Sequence, residues 1–340
     1  MSKVAVVILN YNGKSLLAKF LPGVITHSSG DTEVIVADNA STDGSVEMLR
    51  ERFPEIRIIS NSTNGGFTKG YNQALSQIKA DYYVLLNSDI EVTSGWIKPI
   101  IDLMEADTAI AACQPKILSL VMPSHFEYAG AGGGFIDRFG YPFCRGRLFN
   151  HLEEDKGQYN DIFEVFWASG ACMFVRADAY HRYGGLDDSF FAHMEEIDFC
   201  WRLKNEGFKI MYCGESTVYH IGGGTLPKIS ARKTYYNFRN NLSLLVKNLP
   251  RNMMAHVIVL RLFLDGAASV KFLLEGNMSH FFAVFRAHLH FYRKLPQLLY
   301  KRNNLKQKKV TGIYRKNIAI DYFLLGKREF KELNTDLFDN

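Results

Sequence analysis

The chain has 340 residues, 47% hydrophobic and 22% charged, with a formal net charge of +5. That balance excludes a disordered or fibrous chain and allows one large domain, or two smaller ones, with a well-buried core. Five widely spaced cysteines without a Cys-x-x-Cys pair argue against a disulfide framework or a cysteine zinc site, and Met1-Ser2-Lys3-Val4 runs directly into a strand pattern without a leader-like segment. A cytoplasmic protein with reduced core cysteines is the expectation.

In chain order, residues 4–9 form a continuous apolar run that ends in Asn10-Tyr11-Asn12-Gly13, the pattern of a buried strand and a polar turn. Residues 33–37 repeat it and end in Asp38-Asn39-Ala40-Ser41-Thr42-Asp43-Gly44, with a short helix over 45–52. A third strand over 56–59 ends in Asn61-Ser62-Thr63-Asn64-Gly65-Gly66, and a helix over about 68–77 follows. A fourth strand over 82–86 ends in Asn87-Ser88-Asp89. Alternating strands and helices imply right-handed crossovers and a mostly parallel α/β sheet, covered by helices on both faces. Polar residues gather after each strand, where open α/β sheets bind ligands.

Residues 115–164 are rich in Gly and aromatics, including Gly130-Ala131-Gly132-Gly133-Gly134; loops and short strands forming a mobile cover are expected there. A strand over 168–175, a helix over 195–205 and a strand over 216–219 complete the pattern. Beyond Pro250, the charges Arg261, Asp265, Lys271 and Glu275 fall within roughly 120° of a helical wheel. The run is too interrupted for a spanning helix, which needs about 20 predominantly apolar residues. Residues 276–320 hold no Asp or Glu but carry Arg286, Arg293, Lys294, Lys301, Arg302, Lys306, Lys308, Lys309, Arg315 and Lys316, leaving a mildly acidic remainder. Two readings stand for this region: helices packed on the body, or an interfacial element at an anionic membrane.

Four features carry candidate chemistry. Asp38, with Asp43 nearby, could accept a hydrogen bond from a nucleobase or ribose, although turn and cap chemistry accounts for either residue alone. Asp89 could hold a divalent cation that also bridges a diphosphate. In His193-Met194-Glu195-Glu196-Ile197-Asp198, three carboxylates crowd one helix start; the helix dipole favours this, and crowding also raises a carboxylate toward the role of general base. Glu195 and Asp198 share a face, leaving Glu196 free to point into the cleft. His220 precedes Ile221-Gly222-Gly223-Gly224-Thr225, which suits a metal ligand near phosphates, although a lone His is more often structural.

Together, these segments resemble glycosyltransferase family 2, in its non-processive, rhamnosyltransferase-like branch. The likeness runs from Val6-Val7-Ile8-Leu9-Asn10-Tyr11-Asn12-Gly13 through Val36-Ala37-Asp38-Asn39, Asn64-Gly65-Gly66-Phe67 and Leu85-Leu86-Asn87-Ser88-Asp89. It continues through Gly184-Gly185-Leu186-Asp187 and Glu195-Glu196-Ile197-Asp198-Phe199-Cys200-Trp201-Arg202 to His220. The resemblance implies a GT-A (Rossmann-like) catalytic domain over 1–245 and a helical, basic extension over 246–340. It implies that Asp38 reads a uracil or thymine ring beside Asn10 and Tyr11, and that Asn64, Asn87 and Ser88 lie on the donor side. Asp89 and His220 would then contact Mg²⁺ or Mn²⁺, and Glu196 would be the base, with Glu195 as the alternative. Trp167, Gly170 and Glu195 are the acceptor-side candidates. The implied partners are a nucleotide-sugar donor, a glycan or polyprenyl-diphosphate-linked acceptor and, peripherally, the inner face of the plasma membrane; no nucleic acid is expected. Asn87 stands where the fuller Asp-x-Asp motif has Asp, and Glu196 where the family usually has Asp.

Two other classes share some of these features. A sugar-nucleotide-forming nucleotidyltransferase needs a Gly-rich, basic loop after the first strand, and Asn10-Tyr11-Asn12-Gly13-Lys14 is a poor version of one. A nucleic-acid-binding protein is suggested only by the basic region, without a recognisable motif.

Overall fold

The structure, a computed structural model, describes residues 2–28, 30–222 and 230–339. Its first half alternates strands and helices: β1 (Val4–Asn10), α1 (Lys14–His27), β2 (Thr32–Asp38), α2 (Ser45–Arg52), β3 (Arg57–Ser60), α3 (Gly66–Leu75), β4 (Tyr82–Asn87), the short β5 (Ile90–Val92) and α4 (Lys98–Ala106). Strands β3, β2, β1 and β4 lie side by side and parallel. Because alternate side chains of a strand face opposite ways, Val4, Val6 and Ile8 pack against α1, α2 and α4, while Ala5, Val7 and Leu9 pack against α3. Both faces are therefore apolar. Each buried Val or Ile is worth ~1.5–3 kcal/mol. α1 forms despite Pro22-Gly23 in its middle, punctuation that conceals a helix from a reading of the sequence.

The sheet continues with β12 (Cys172–Arg176), antiparallel between β4 and β6 (Ile110–Ser119), and then β13 (Lys209–His220) and β11 (Ile162–Val165). The helices α5 (Ala177–Arg182) and α6 (Glu195–Asn205) join β12 to β13.

The Gly-rich region is a correction to expectation. Instead of a mobile cover, residues 130–137 are buried. They begin a second sheet of β7 (Gly134–Asp137), β8 (Pro142–Cys144), β9 (Arg147–Leu148), β10 (His151–Leu152) and β14 (Ile313–Tyr314). The glycines are there for close packing: a Cβ on Gly134 would lie 2.1 Å from the Trp167 ring, and one on Gly130 would lie 2.4 Å from Ser169 Cβ. Phe135, Phe143, Tyr314, Phe330 and Phe338 fill the space beneath this sheet.

The remaining helices are α7 (Ala231–Asn248), α8 (Arg251–Leu274), α9 (Met278–Asn303) and α10 (Ile318–Phe323). The boundary placed at 245 falls within α7, and β14 returns the C-terminal region to the body by pairing in parallel with β7. All five cysteines are free and buried. Among the described residues, no helix is long and apolar enough to cross a membrane.

Candidate active site

The parallel strands set up the site by ending together. Asn10 of β1 is the register partner of Asp38 of β2, and Leu9 that of Asn87 of β4. Asn10 is fully buried, so its amide must find partners. Its Nδ2 donates to Asp38 Oδ1 and Ser41 Oγ at 3.0 Å each, while its Oδ1 accepts from Gly13 N–H at 3.1 Å. A Cβ at position 13 would lie 2.6 Å from Asn10 Oδ1 and would push that oxygen out of this network. Tyr11 projects outward, 42% exposed. Asp43 is structural: it accepts from Lys14 N–H at 2.8 Å and Ser45 N–H at 3.0 Å, tying two turns together. Asn64 is exposed and its Oδ1 accepts from Asn39 Nδ2 at 3.0 Å. Together these bonds make a preorganised cup at the ends of β1, β2 and β3.

Asn87 and Ser88 are half-buried and lead to Asp89, which is buried. Pairing of β5 with β13 brings His220 beside Ile90. As a result, His220 Nε2 lies 3.1 Å from Asp89 Oδ1. On its other side, His220 Nδ1 lies 3.0 Å from Glu127 Oε2. Burial by itself would lower His220, but its bonds to Asp89 and Glu127 outweigh it and raise the imidazole to about 10. Burial likewise raises Glu127, yet His220 and the backbone N–H groups of Ala129 and Tyr128 bring it below the usual carboxylate range.

Two ligand atoms that each sit about 2.1 Å from one ion, at right angles, are about 3 Å apart. The Asp89–His220 spacing fits that geometry; a cation would bind there by displacing the proton that Asp89 and Glu127 hold on the imidazole, and a carboxylate with the neutral imidazole would then be a donor set for Mn²⁺ or Mg²⁺. Among the described residues no cluster of three metal-ligating side chains occurs, so further ligands would come from substrate and water. Glu127 is the residue that sequence reasoning missed. It lies 93 positions from His220, between a bridge at Phe126 and a turn, with no periodic signal.

The carboxylates at the start of α6 reach the same edge through β12. Asn87 N–H donates to Ala171 O at 2.9 Å, and a Cβ on neighbouring Gly170 would lie 3.8 Å from Glu196 Cβ and 3.2 Å from Phe67. Glu195 is buried and Glu196 half-buried, and each has one oxygen, Oε2, without a hydrogen-bond partner. Burial pushes both above the usual range, and Glu195 is raised further by Glu196. Asp198 differs. It is fully buried and accepts from Arg202 at 2.9 Å and from Lys247 and Asn248 at 2.8 Å each, so it fastens α6 to α7.

The loop before α6 is strained: Phe191, His193 and Met194 all have φ between 68° and 70°. Each costs about 1–3 kcal/mol and persists only where the surroundings enforce it. Two α7 side chains do so. Asn240 Nδ2 donates to the carbonyls of Phe190, Ala192 and His193 at 3.1, 2.9 and 2.7 Å, and Arg239 donates to those of Ser189 and Phe190 at 3.1 and 2.7 Å. Buried Arg-Asn-Asn in mid-helix, where Asn is a poor helix former, was the signal available in the sequence. Trp167 is also committed: it is buried with its indole N–H bonded to Phe135 O at 2.9 Å, so its ring belongs to the seam between the sheets rather than to an open acceptor surface. Residues 223–229, which include Gly223, Gly224 and Thr225 of the glycine run after His220, lie outside the described residues.

The sequence profile of glycosyl transferase family 2 matches residues 5–184, more than half of the chain. The chain belongs to glycosyltransferase family 2. Among curated relatives, this transferase is 25% identical over 229 residues to the N-acetylglucosaminyl-diphospho-decaprenol L-rhamnosyltransferase of Mycobacterium tuberculosis, covering 63% of this chain and 75% of that protein. It is 23% identical over 292 residues to the low-salt glycan biosynthesis hexosyltransferase Agl10 of Haloferax volcanii, covering 82% and 88%. Of solved structures, GalNAc-T7 with UDP, GalNAc and Mn²⁺ superposes with a TM-score of 0.58 at 14% identity, over 74% of this chain and 49% of that one. The Pyrobaculum calidifontis mannosyltransferase PcManGT, with GDP-Man and Mn²⁺, gives a TM-score of 0.51 at 13% identity, over 88% and 84%. These likenesses establish the GT-A fold of the transferase, with a helical C-terminal region, and a rhamnosyltransferase-like type within the family.

Proposed function

We propose that this glycosyltransferase is inverting and moves a sugar from a dTDP-, UDP- or GDP-linked donor onto a hydroxyl of a glycan or polyprenyl-diphosphate-linked acceptor in cell-surface polysaccharide assembly. The observation that carries the proposal is the single sheet edge shared by the Asn10–Asp38 cup, the Asp89–His220 pair at 3.1 Å and the partnerless oxygens of Glu195 and Glu196. The acceptor class is supported by the diphospho-decaprenol compound in the name of the mycobacterial relative, and the donor class by the UDP and GDP-Man in the titles of the structural neighbours.

Asp38, held in place by the buried amide of Asn10, receives the base and ribose, with Tyr11 exposed beside it and Asn64, Asn87 and Ser88 along the donor. Asp89 and His220 would hold Mg²⁺ or Mn²⁺, and Glu127 keeps the His220 ring oriented, as partners of metal-bound histidines do. A bound divalent cation supplies charge neutralisation at the departing diphosphate. Glu196 takes the acceptor proton while the acceptor oxygen bonds to the anomeric carbon and the bond to the diphosphate breaks on the opposite face. Gly170 leaves room for the acceptor beside it. Glu195, buried deeper than Glu196, shapes the pocket beside it.

A panel of dTDP-, UDP- and GDP-sugars, read by slow donor hydrolysis with Mn²⁺ or with a chelator, tests the reading. Hydrolysis of one nucleotide class, lost on chelation, is expected. No hydrolysis of any donor, or hydrolysis indifferent to the chelator, would contradict it.

A further inference from the structure

Helix α8 is built inside out. Its buried side chains are Val257, Arg261 and Asp265. Arg261 donates to Asp265 Oδ1 at 2.9 Å and to Asn241 Oδ1 at 2.6 Å, and His288 Nε2 lies 3.2 Å from Asp265 Oδ2. A surface helix of a soluble protein turns its polar stripe outward and its apolar stripe inward. Here Arg261 and Asp265 face the protein, while Leu260, Phe263 and Leu274 face out, Phe263 at 74% and Leu274 at 83% exposed; Lys271 and Glu275 are exposed but paired with each other. Phe282, Phe285 and Leu289 extend the apolar face onto α9. Most exposed large hydrophobic side chains among the described residues lie between positions 259 and 325. A contiguous patch of this kind marks an interaction surface.

The flanking charge selects the partner. Of the ten basic residues in 276–320, Lys301, Lys306, Lys309 and Arg315 pair with carboxylates and Arg302 is buried against backbone carbonyls. Arg286, Arg293 and Lys294 remain on α9 beside the apolar face, without an ion pair among the described residues. Apolar side chains flanked by unpaired cations complement an anionic lipid surface, in the manner of a helix lying in the interface.

The position of this face is also informative. His280 Nδ1, near the α8–α9 turn, lies 2.8 Å from Thr234 Oγ1 at the start of α7. Two residues further along α7, Tyr236 stacks on Phe191 of the strained loop that leads to Glu195 and Glu196, with ring centroids 5.5 Å apart. The turn therefore sits at the end of α7 that faces the catalytic loop.

We infer that the α8–α9 hairpin lies in the interface of an anionic bilayer, with the apolar face of Phe263, Leu274, Phe282, Phe285 and Leu289 buried at the acyl boundary, and so holds the catalytic loop at headgroup level. The biological purpose rests on the lipid-linked acceptor proposed above. The binding itself does not. Because apolar burial contributes beside charge, attachment outlasts the screening that high salt imposes on surface ion pairs.

The test is flotation of the full chain with phosphatidylcholine vesicles and with phosphatidylcholine–phosphatidylglycerol vesicles, at low and high salt. The wild type is expected on the anionic vesicles at both. The double variant Leu274→Ser/Phe282→Ser is expected to lose at least about tenfold in partitioning, with wild-type melting temperature and wild-type rate of donor hydrolysis. Unchanged partitioning of that variant, or release of the wild type by high salt, would overturn the insertion. So would loss of a lipid-independent dimer in the variant on sedimentation, since the face would then cover a second copy. A chain that floats but hydrolyses no donor would refute the transferase chemistry and leave the insertion standing; one that hydrolyses donor without floating would do the reverse.

Discussion

Glu196 and its neighbours define the chemistry at the scale of single residues. Replacing Glu196 by Gln removes the proton acceptor and keeps the shape, so turnover should fall at least about a hundredfold with donor affinity retained. Near-normal turnover in single-turnover kinetics would transfer the role to Glu195. A base works in its deprotonated form, and burial raises both glutamates. The acid limb of the rate profile should therefore lie above the ~4.3 of an ordinary Glu, with activity rising as pH passes through the raised value. Glu127 acts through His220, so Glu127→Gln should weaken Mn²⁺ affinity by about 10–100-fold. Calorimetric titration of the protein with Mn²⁺ measures this without any turnover. Asp38, Asp89 and His220 could be read from the sequence because Asp38 and His220 end strands and Asp89 lies just beyond one, where open α/β sheets gather polar residues. Glu127 could not, because the contact that gives it meaning joins positions 93 apart.

Between elements, α7 is what holds the catalytic loop in shape. Asn240→Ala would leave the carbonyls of Phe190, Ala192 and His193 short of a donor, at a cost of about 1–3 kcal/mol. It would also let the strained loop relax, so melting temperature and turnover should fall together, as unfolding and single-turnover measurements would show. The same helix presents Lys247 to Asp187 at 2.6 Å and to Asp198 at 2.8 Å, and α9 adds Lys301. Burial opposes ionisation of Asp187, but the two lysines outweigh it and hold its carboxyl far below the ordinary range. A depressed folded pKa contributes stability above the unfolded value of ~3.9 that is lost as pH falls below it. Denaturant unfolding of wild type and Asp187→Asn should therefore converge toward acid pH and separate toward neutrality. A constant gap across that range would contradict the assignment. The sequence announced α6 and the strand patterns around it, but α7 carried no such announcement: from Arg239 to Asn248 it is buried all round, polar side chains beside Leu242, Leu244, Leu245 and Val246, so no single apolar stripe marks it.

For the molecule as a whole, the parallel half of the fold was legible because its strands are local, continuous apolar runs joined by short crossovers. The second sheet was not. Its strands are two to four residues long, and its last member, Ile313–Tyr314, pairs with Ile136–Asp137 across the length of the chain. No window of sequence contains that pairing, and the buried glycines that enable it look like loop signals. The Arg261–Asp265 stripe was visible as a cluster of charges, but which way it faced depended on Asn241 and Phe139 elsewhere in the chain. The central claim is that the Asn10–Asp38 cup and the Asp89–His220 pair form one site shared by a nucleotide and a divalent ion. Titrating Mn²⁺ with and without the nucleoside diphosphate, on wild type and Asp89→Ala, tests it most directly. The expected result is mutual tightening of at least about tenfold that disappears in the variant; metal and nucleotide binding with affinities independent of one another would contradict it.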